Sequence, residues 1–237
     1  MTEAAIRKEK VELAVADGTR MTAYVARPER DGPHPGLLLF QEAFGVNHHI
    51  RSLSERFAAE GYVVIAPELF HRTAPAGFEG SYTDFAAVMP HVQAVTTESA
   101  EFDVQAAYEW LSSNAQVKAK EISSVGFCLG GRVSFIANSV VALRAAVSFY
   151  GAGIAPGLLH RAAKLAAPAL FIWGGLDKHI KPEHRKAVTE ALSAQQKIYV
   201  NAEFSRADHG FFCDERAAYE PHSARQAWAL TLEFLRS

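Results

Sequence analysis

Gly126-Phe127-Cys128-Leu129-Gly130-Gly131 decides how this chain folds. A strand expected over 122–125 leads into it, and a helical pattern over 129–138 leads out. A strand that turns straight into a helix strains the residue at the turn, and its neighbours must lack a Cβ so that the chains can pass. The string reads glycine, any residue, nucleophile, any residue, glycine, with cysteine at the centre. Such a turn presents its side chain above the sheet at the positive end of a helix, where unpaired N–H groups and the dipole favour a thiolate. The N–H of Leu129 is then set to bond the oxyanion of a tetrahedral intermediate. A buried cysteine in a glycine-rich turn would give the same letters. The rest of the chain has to decide.

Outward from this turn, strands alternate with helices. Residues 11–15 and 21–26 flank Asp17-Gly18 and predict an opening hairpin. The pure apolar runs 37–40 and 62–66 predict buried strands, the second ended by Pro67. Ile50, Leu53 and Phe57 mark one helix face, and Gly61 stands where that helix stops. Residues 70–93, with their prolines, glycines and scattered aromatics, predict a loop with short helical pieces. Further on, 98–112 reads as helix, 145–150 and 169–173 as strands, and a helix opens near Pro182. The last strand is expected at 198–200. The last helix shows Ala224, Trp228, Leu232 and Leu235 on one face. This alternation predicts an α/β chain, a mainly parallel central sheet with helices on both faces. No linker or repeat divides it, so one domain over 1–237 is expected.

Composition excludes several classes. Apolar residues are 49% and charged residues 21% of 237, the balance of an ordinary globular protein. With 24 basic and 26 acidic residues, net −2, the chain has no surplus charge for neutralising phosphates, so no nucleic-acid partner is expected. No run approaches the roughly 18 apolar residues of a membrane span. Met1 to Glu12 hold no signal-peptide core, and a cytoplasmic protein is expected. Two cysteines, Cys128 and Cys213, make neither a disulfide scaffold nor a four-cysteine zinc site. His48 and His49 are helix neighbours that point apart, and His179 and His184 are five apart, not four. Solvated or capping roles are expected for all four, with no metal. The glycines match neither a dinucleotide fingerprint nor a P-loop, and no cofactor is expected.

A cysteine nucleophile needs a histidine base and an acid to orient it. In this architecture the order along the chain is nucleophile, acid, base. Asp177 follows the run ending Trp173-Gly174-Gly175-Leu176, just past a strand. His209 lies in Asp208-His209-Gly210-Phe211, after the last strand. Asp208 competes as the acid, but adjacent side chains on extended backbone point apart. Asp214 comes after the histidine, in the wrong order. Cys128, Asp177 and His209 are the expected triad.

On Gly126–Gly131, Gly174–Asp177, Asp208–Phe211 and Gln41-Glu42-Ala43-Phe44-Gly45, the sequence resembles the dienelactone hydrolase family of α/β-hydrolase-fold enzymes. The resemblance implies the same triad. It also implies that Glu42 hydrogen-bonds the resting thiol and swings when substrate binds, and that the N–H of Ala43 is a second oxyanion donor beside Leu129. A carboxylate near a thiol opposes thiolate formation by like-charge repulsion, which is compatible with that role. Phe44, Phe70, Trp173, Phe211 and Phe212 suggest an apolar substrate pocket. Family members acting on dienelactone hold its carboxylate with arginines, one of them four positions after the catalytic histidine. That position is Cys213 here, and the other falls in an arginine-free segment, 80–85. Arg72 and Arg206 are the candidate substitutes. A weaker preference for carboxylate-bearing lactones is expected.

The expected function is that of a cysteine hydrolase of small-molecule esters or lactones working through an acyl-enzyme. The second reading is a non-catalytic protein of the same fold that uses Cys128 and Cys213 for redox sensing or ligand binding. The ordered triad argues against it.

Overall fold

The computed structural model describes residues 5–30 and 32–237. The first four residues of the Met1 to Glu12 stretch therefore lie outside it. The chain divides between Ser123 and Ser124 into two compact units.

The first unit opens with an antiparallel hairpin, β1 (Ile6–Ala14) and β2 (Arg20–Pro28), closed by Asp17-Gly18. Asp17 accepts the N–H of Thr19 at 3.0 Å, and Gly18 takes φ +86°, so aspartate and glycine suit this turn. β3 (His34–Phe40) and β4 (Val63–Pro67) pair in parallel, and β4 pairs antiparallel with β2, for the order β1-β2-β4-β3. Leu37 to Phe40 and Val63 to Ala66 are fully buried, as continuous apolar runs require. Between them lies α1 (His48–Ala59), capped by Asn47 and buried along Ile50, Leu53 and Phe57. It stops at Gly61, φ +99°. Two further helices follow, α2 (Phe85–Ala94) and α3 (Thr97–Ser113).

β5 (Val117–Phe127) ends in the second unit, where it pairs in parallel with β6 (Ala146–Phe149). β7 (Ala169–Gly174) and β8 (Tyr199–Phe204) extend the parallel order β5-β6-β7-β8. α4 (Leu129–Val140) connects β5 to β6, and α5 (Pro182–Ala194) connects β7 to β8. A short 3-10 helix (Leu159–Lys164) precedes β7, and α6 (Pro221–Arg236) closes the chain. The architecture is α/β, as the alternation predicts. No helix among the described residues is long and apolar enough to cross a membrane.

Three segments depart from the sequence reading. The hairpin strands are longer than 11–15 and 21–26, because β1 carries Lys8, Glu9, Lys10 and Glu12 on a largely solvated strand that burial does not mark. β8 runs on to Phe204; its pairing to β7 holds it although Ile198 and Val200 are 73% and 40% exposed. Residues 70–93 contain one full helix, α2, with Pro90 inside it. Its N-cap is Asp84, which accepts the N–H of Ala87.

Candidate active site

The turn after β5 has the strain its sequence demands. Cys128 takes φ +55° and ψ −112° as the N-cap of α4, and its N–H bonds the carbonyl of Phe149 at 3.0 Å. A Cβ on Gly126 would lie 1.9 Å from the carbonyl oxygen of Gly130, and one on Gly131 would lie 2.6 Å from that of Phe149. No side chain fits at either position. Leu129 is the first residue of α4, so its N–H has no acceptor within the helix. Four residues back, Ser124 is fully buried and its hydroxyl meets that of Ser134 at 2.8 Å.

The structure brings Cys128, His209 and Asp177 together. Cys128 Sγ lies 3.1 Å from His209 Nε2, and His209 Nδ1 lies 2.8 Å from Asp177 Oδ2. With a carboxylate opposite it, Nδ1 carries the proton and Nε2 is left to face the sulfur. The other oxygen of Asp177 accepts the N–H groups of His179 at 2.7 Å and Ile180 at 3.0 Å. Burial works against the Asp177 charge, but His209 and those two amides outweigh it and hold the carboxyl below its usual range. Burial also opposes charge on His209. The Cys128 charge, hydrogen bonds to Asp177 and Cys128, and the Asp177 charge prevail and push it up to about 10. A proton leaving the sulfur therefore has a ready acceptor. Asp208 is engaged elsewhere: its Oδ1 accepts the N–H of His209 at 2.7 Å.

Four neighbours of the triad have no spacing signal in the sequence. Tyr150, fully buried at φ +35°, packs its ring 5.1 Å from that of His209. His179 is exposed, as a solvated role requires, and its ring also stands edge-on to His209 at 5.1 Å. Arg132, one turn into α4, is pulled down by burial and held up by the charge of Cys128, so that guanidinium and sulfur sense one another. Arg216 lies against Gly210, where a Cβ would stand 2.0 Å from its Nη1. The chain folds back after Cys213, which is itself buried, with the N–H of Cys213 on the Gly210 carbonyl and that of Arg216 on the Cys213 carbonyl. Arg72 is no free substitute. Its guanidinium bonds Asp103 at 2.9 and 2.8 Å and Asp17 at 2.7 Å.

The remaining candidates are all buried. Glu42 and Ala43, in the first unit, are each 2% exposed, and Gln41 ties this stretch by donating to the Glu42 carbonyl and accepting the N–H of Leu69. Phe44 packs on Tyr82, and Phe70 on Phe78 and His91. In the second unit Trp173 stacks on Phe171 and donates Nε1–H to Asn201. Phe211 packs on Tyr150 and Phe204, and Phe212 on Phe127 and Phe149. These ring contacts are those of core packing. Of the other histidines, His48 is exposed, His184 is half-buried, and His49 is 3% exposed, contrary to a solvated role.

Known proteins resemble this chain in sequence and in fold. A Synechocystis sp. protein named "Putative carboxymethylenebutenolidase" is 36% identical over 218 residues, covering 88% of each chain. A Bradyrhizobium sp. protein named "Probable 2-oxo-3-(5-oxofuran-2-ylidene)propanoate lactonase" is 28% identical over 93% of this chain and 90% of its own. The crystal structure of a Klebsiella pneumoniae protein, titled "Putative Dienelactone Hydrolase", superposes with a TM-score of 0.89 at 30% identity, over 98% of this chain and 99% of that one. An acylaminoacyl peptidase at 17% identity shares the α/β-hydrolase fold alone, with a TM-score of 0.75. The model of the dienelactone hydrolase family matches residues 21–237. With nearly the whole chain inside that match, the chain belongs to the dienelactone hydrolase family.

Proposed function

We propose that this member of the family is a cysteine hydrolase of lactone or carboxylic-ester bonds, with Cys128 as nucleophile, His209 as base and Asp177 as the group that orients the base. One observation carries the reading: the unbroken path from Cys128 Sγ to His209 Nε2 at 3.1 Å and from His209 Nδ1 to Asp177 at 2.8 Å. The strained backbone of Cys128 supports it, since strain of this kind persists where the surroundings hold it for a purpose. Ser124 also lies near the turn, but its burial against Ser134 speaks against it as nucleophile.

The Cys128 proton passes to His209 Nε2 as sulfur attacks the carbonyl carbon. The tetrahedral oxyanion is held by the N–H of Leu129, with the N–H of Ala43 as the second donor by its match to the family pattern. Glu42 takes the family's gating role on the same ground. Collapse breaks the C–O bond, and the alkoxide leaves with the proton from His209. Water then attacks the thioester, His209 takes its proton, and carboxylic acid and thiol are released. No cofactor enters any step. The family match spans both units, which supports their working as one domain.

The class we propose is a lactone that bears a carboxylate. Both quoted relatives are named for such compounds, and the Arg216 guanidinium beside Gly210 suits the charge. A chromogenic short-chain ester assay tests the hydrolase reading: wild type turns over and Cys128→Ala does not. Equal rates would reject the mechanism and favour a binding or redox role for Cys128.

A further inference from the structure

In the first unit, residues 78–82 cross directly over residues 43–47. Gly45 takes φ +81°, and a Cβ there would stand 2.2 Å from the carbonyl oxygen of Phe78. Gly80 donates its N–H to the Phe44 carbonyl at 3.0 Å, and a Cβ on Gly80 would lie 2.3 Å from Val88 and 3.5 Å from Phe44 Cα. The crossing therefore needs glycine on both levels. Tyr82 completes it. Its ring stands edge-on to Phe44 with centroids 4.7 Å apart, and its hydroxyl accepts the Nδ2–H of Asn47 at 2.7 Å. Asn47 in turn caps α1 through the N–H of Ile50. Val88 of α2 is fully buried in one cluster with Ala43 and Phe44, and Phe78, Tyr82 and Val92 pack against that cluster.

From this crossing we infer that Tyr82 is a positioning residue for the oxyanion donor: through Phe44 and Asn47 it fixes the direction of the Ala43 N–H. The inference rests on the hydrolase reading, in which Ala43 is the second donor. Residues 43–47 include a glycine in the left-handed region, and without the strap their peptide planes would have more freedom to rock. A donor stabilises a developing charge in proportion to how well it is aimed before the reaction begins. Loss of aim weakens the transition state and leaves ground-state binding alone, so the effect belongs on kcat and not on KM. Alkylation of Cys128 by iodoacetamide uses the sulfur but forms no oxyanion. It separates the two.

The test compares wild type, Tyr82→Phe and Tyr82→Ala in turnover of p-nitrophenyl acetate and in iodoacetamide alkylation, with Cys128→Ala as control. We expect Tyr82→Ala to lose at least tenfold in kcat, with KM and the alkylation rate within twofold of wild type. Tyr82→Phe keeps the ring on Phe44 and removes the hydroxyl that accepts from Asn47, so it should recover part of the loss. A Tyr82→Ala kcat within twofold of wild type overturns the inference, as does a parallel fall in kcat and alkylation, which would mean general loosening. Should the alanine variant fail to fold, Tyr82→Phe decides: a kcat at least threefold down with unchanged alkylation supports the strap, and an unchanged kcat rejects it. Wild-type turnover that is absent, or that survives in Cys128→Ala, would reject the hydrolase reading itself. Turnover that needs Cys128 but ignores Tyr82 rejects only the strap.

Discussion

Asp177 and Asp208 both lie near His209, and the geometry divides their work. Asp177 meets the ring nitrogen and Asp208 meets the backbone N–H. Asp177→Asn should leave the imidazole in place but favour the wrong tautomer, lowering kcat by about 10²–10⁴-fold, as in serine triads. Asp208→Asn should cost far less, and steady-state kinetics of the two variants will rank them. The same carboxylate carries a pH signature. Its folded-state pKa is depressed, so the unfolded chain binds the proton first, and the stabilisation is present in full above the ordinary Asp value of about 3.9 and is lost as pH falls from there through the lower folded value. Thermal melts from pH 6 to pH 3 should therefore show wild type losing stability more steeply than Asp177→Asn below about pH 4. That Cys128, Asp177 and His209 would meet is legible in the sequence because order along the chain selects them. The place of Arg216 is not: the chain folds back until the guanidinium lies against Gly210, and no spacing announces that.

Among the elements, the segment after β4 is tied down by charge as well as by rings. Arg72 joins Asp17 in the hairpin turn to Asp103 on α3, and Asp103 is completely buried. Removing one partner of such a pair strands the other, so Arg72→Ala should cost on the order of 3 kcal/mol in urea denaturation, with kcat on a neutral ester unchanged. This segment shows where sequence reading fades. β3 and β4 are legible because unbroken apolar runs have no other home than a covered strand. β1 and β8 are held by pairing more than by burial, so hydrophobic pattern understates their length. α2 is obscured by Pro90 and by its exposed apolar residues, Phe85 among them at 50%; only its cap, Asp84, marks the start.

For the whole molecule the question is which bond it cuts and in what company. A carboxylate beside the scissile lactone calls for a fixed cation, and Arg216, which lies against Gly210, is the candidate we propose. For a lactone and its methyl ester, wild-type kcat/KM should favour the free acid by tenfold or more, about 1.4 kcal/mol, and Arg216→Ala should erase most of that preference. Equal rates for both would show that recognition is apolar. All of this depends on sulfur being the atom that is acylated. The most direct measurement is peptide mapping by mass spectrometry of enzyme acid-quenched during turnover of a slow ester. The account predicts an acyl group on the peptide that holds Cys128, bound as a hydroxylamine-labile thioester and absent from Cys128→Ala. An acyl group on Ser124, or turnover at the wild-type rate in Cys128→Ala, would contradict it.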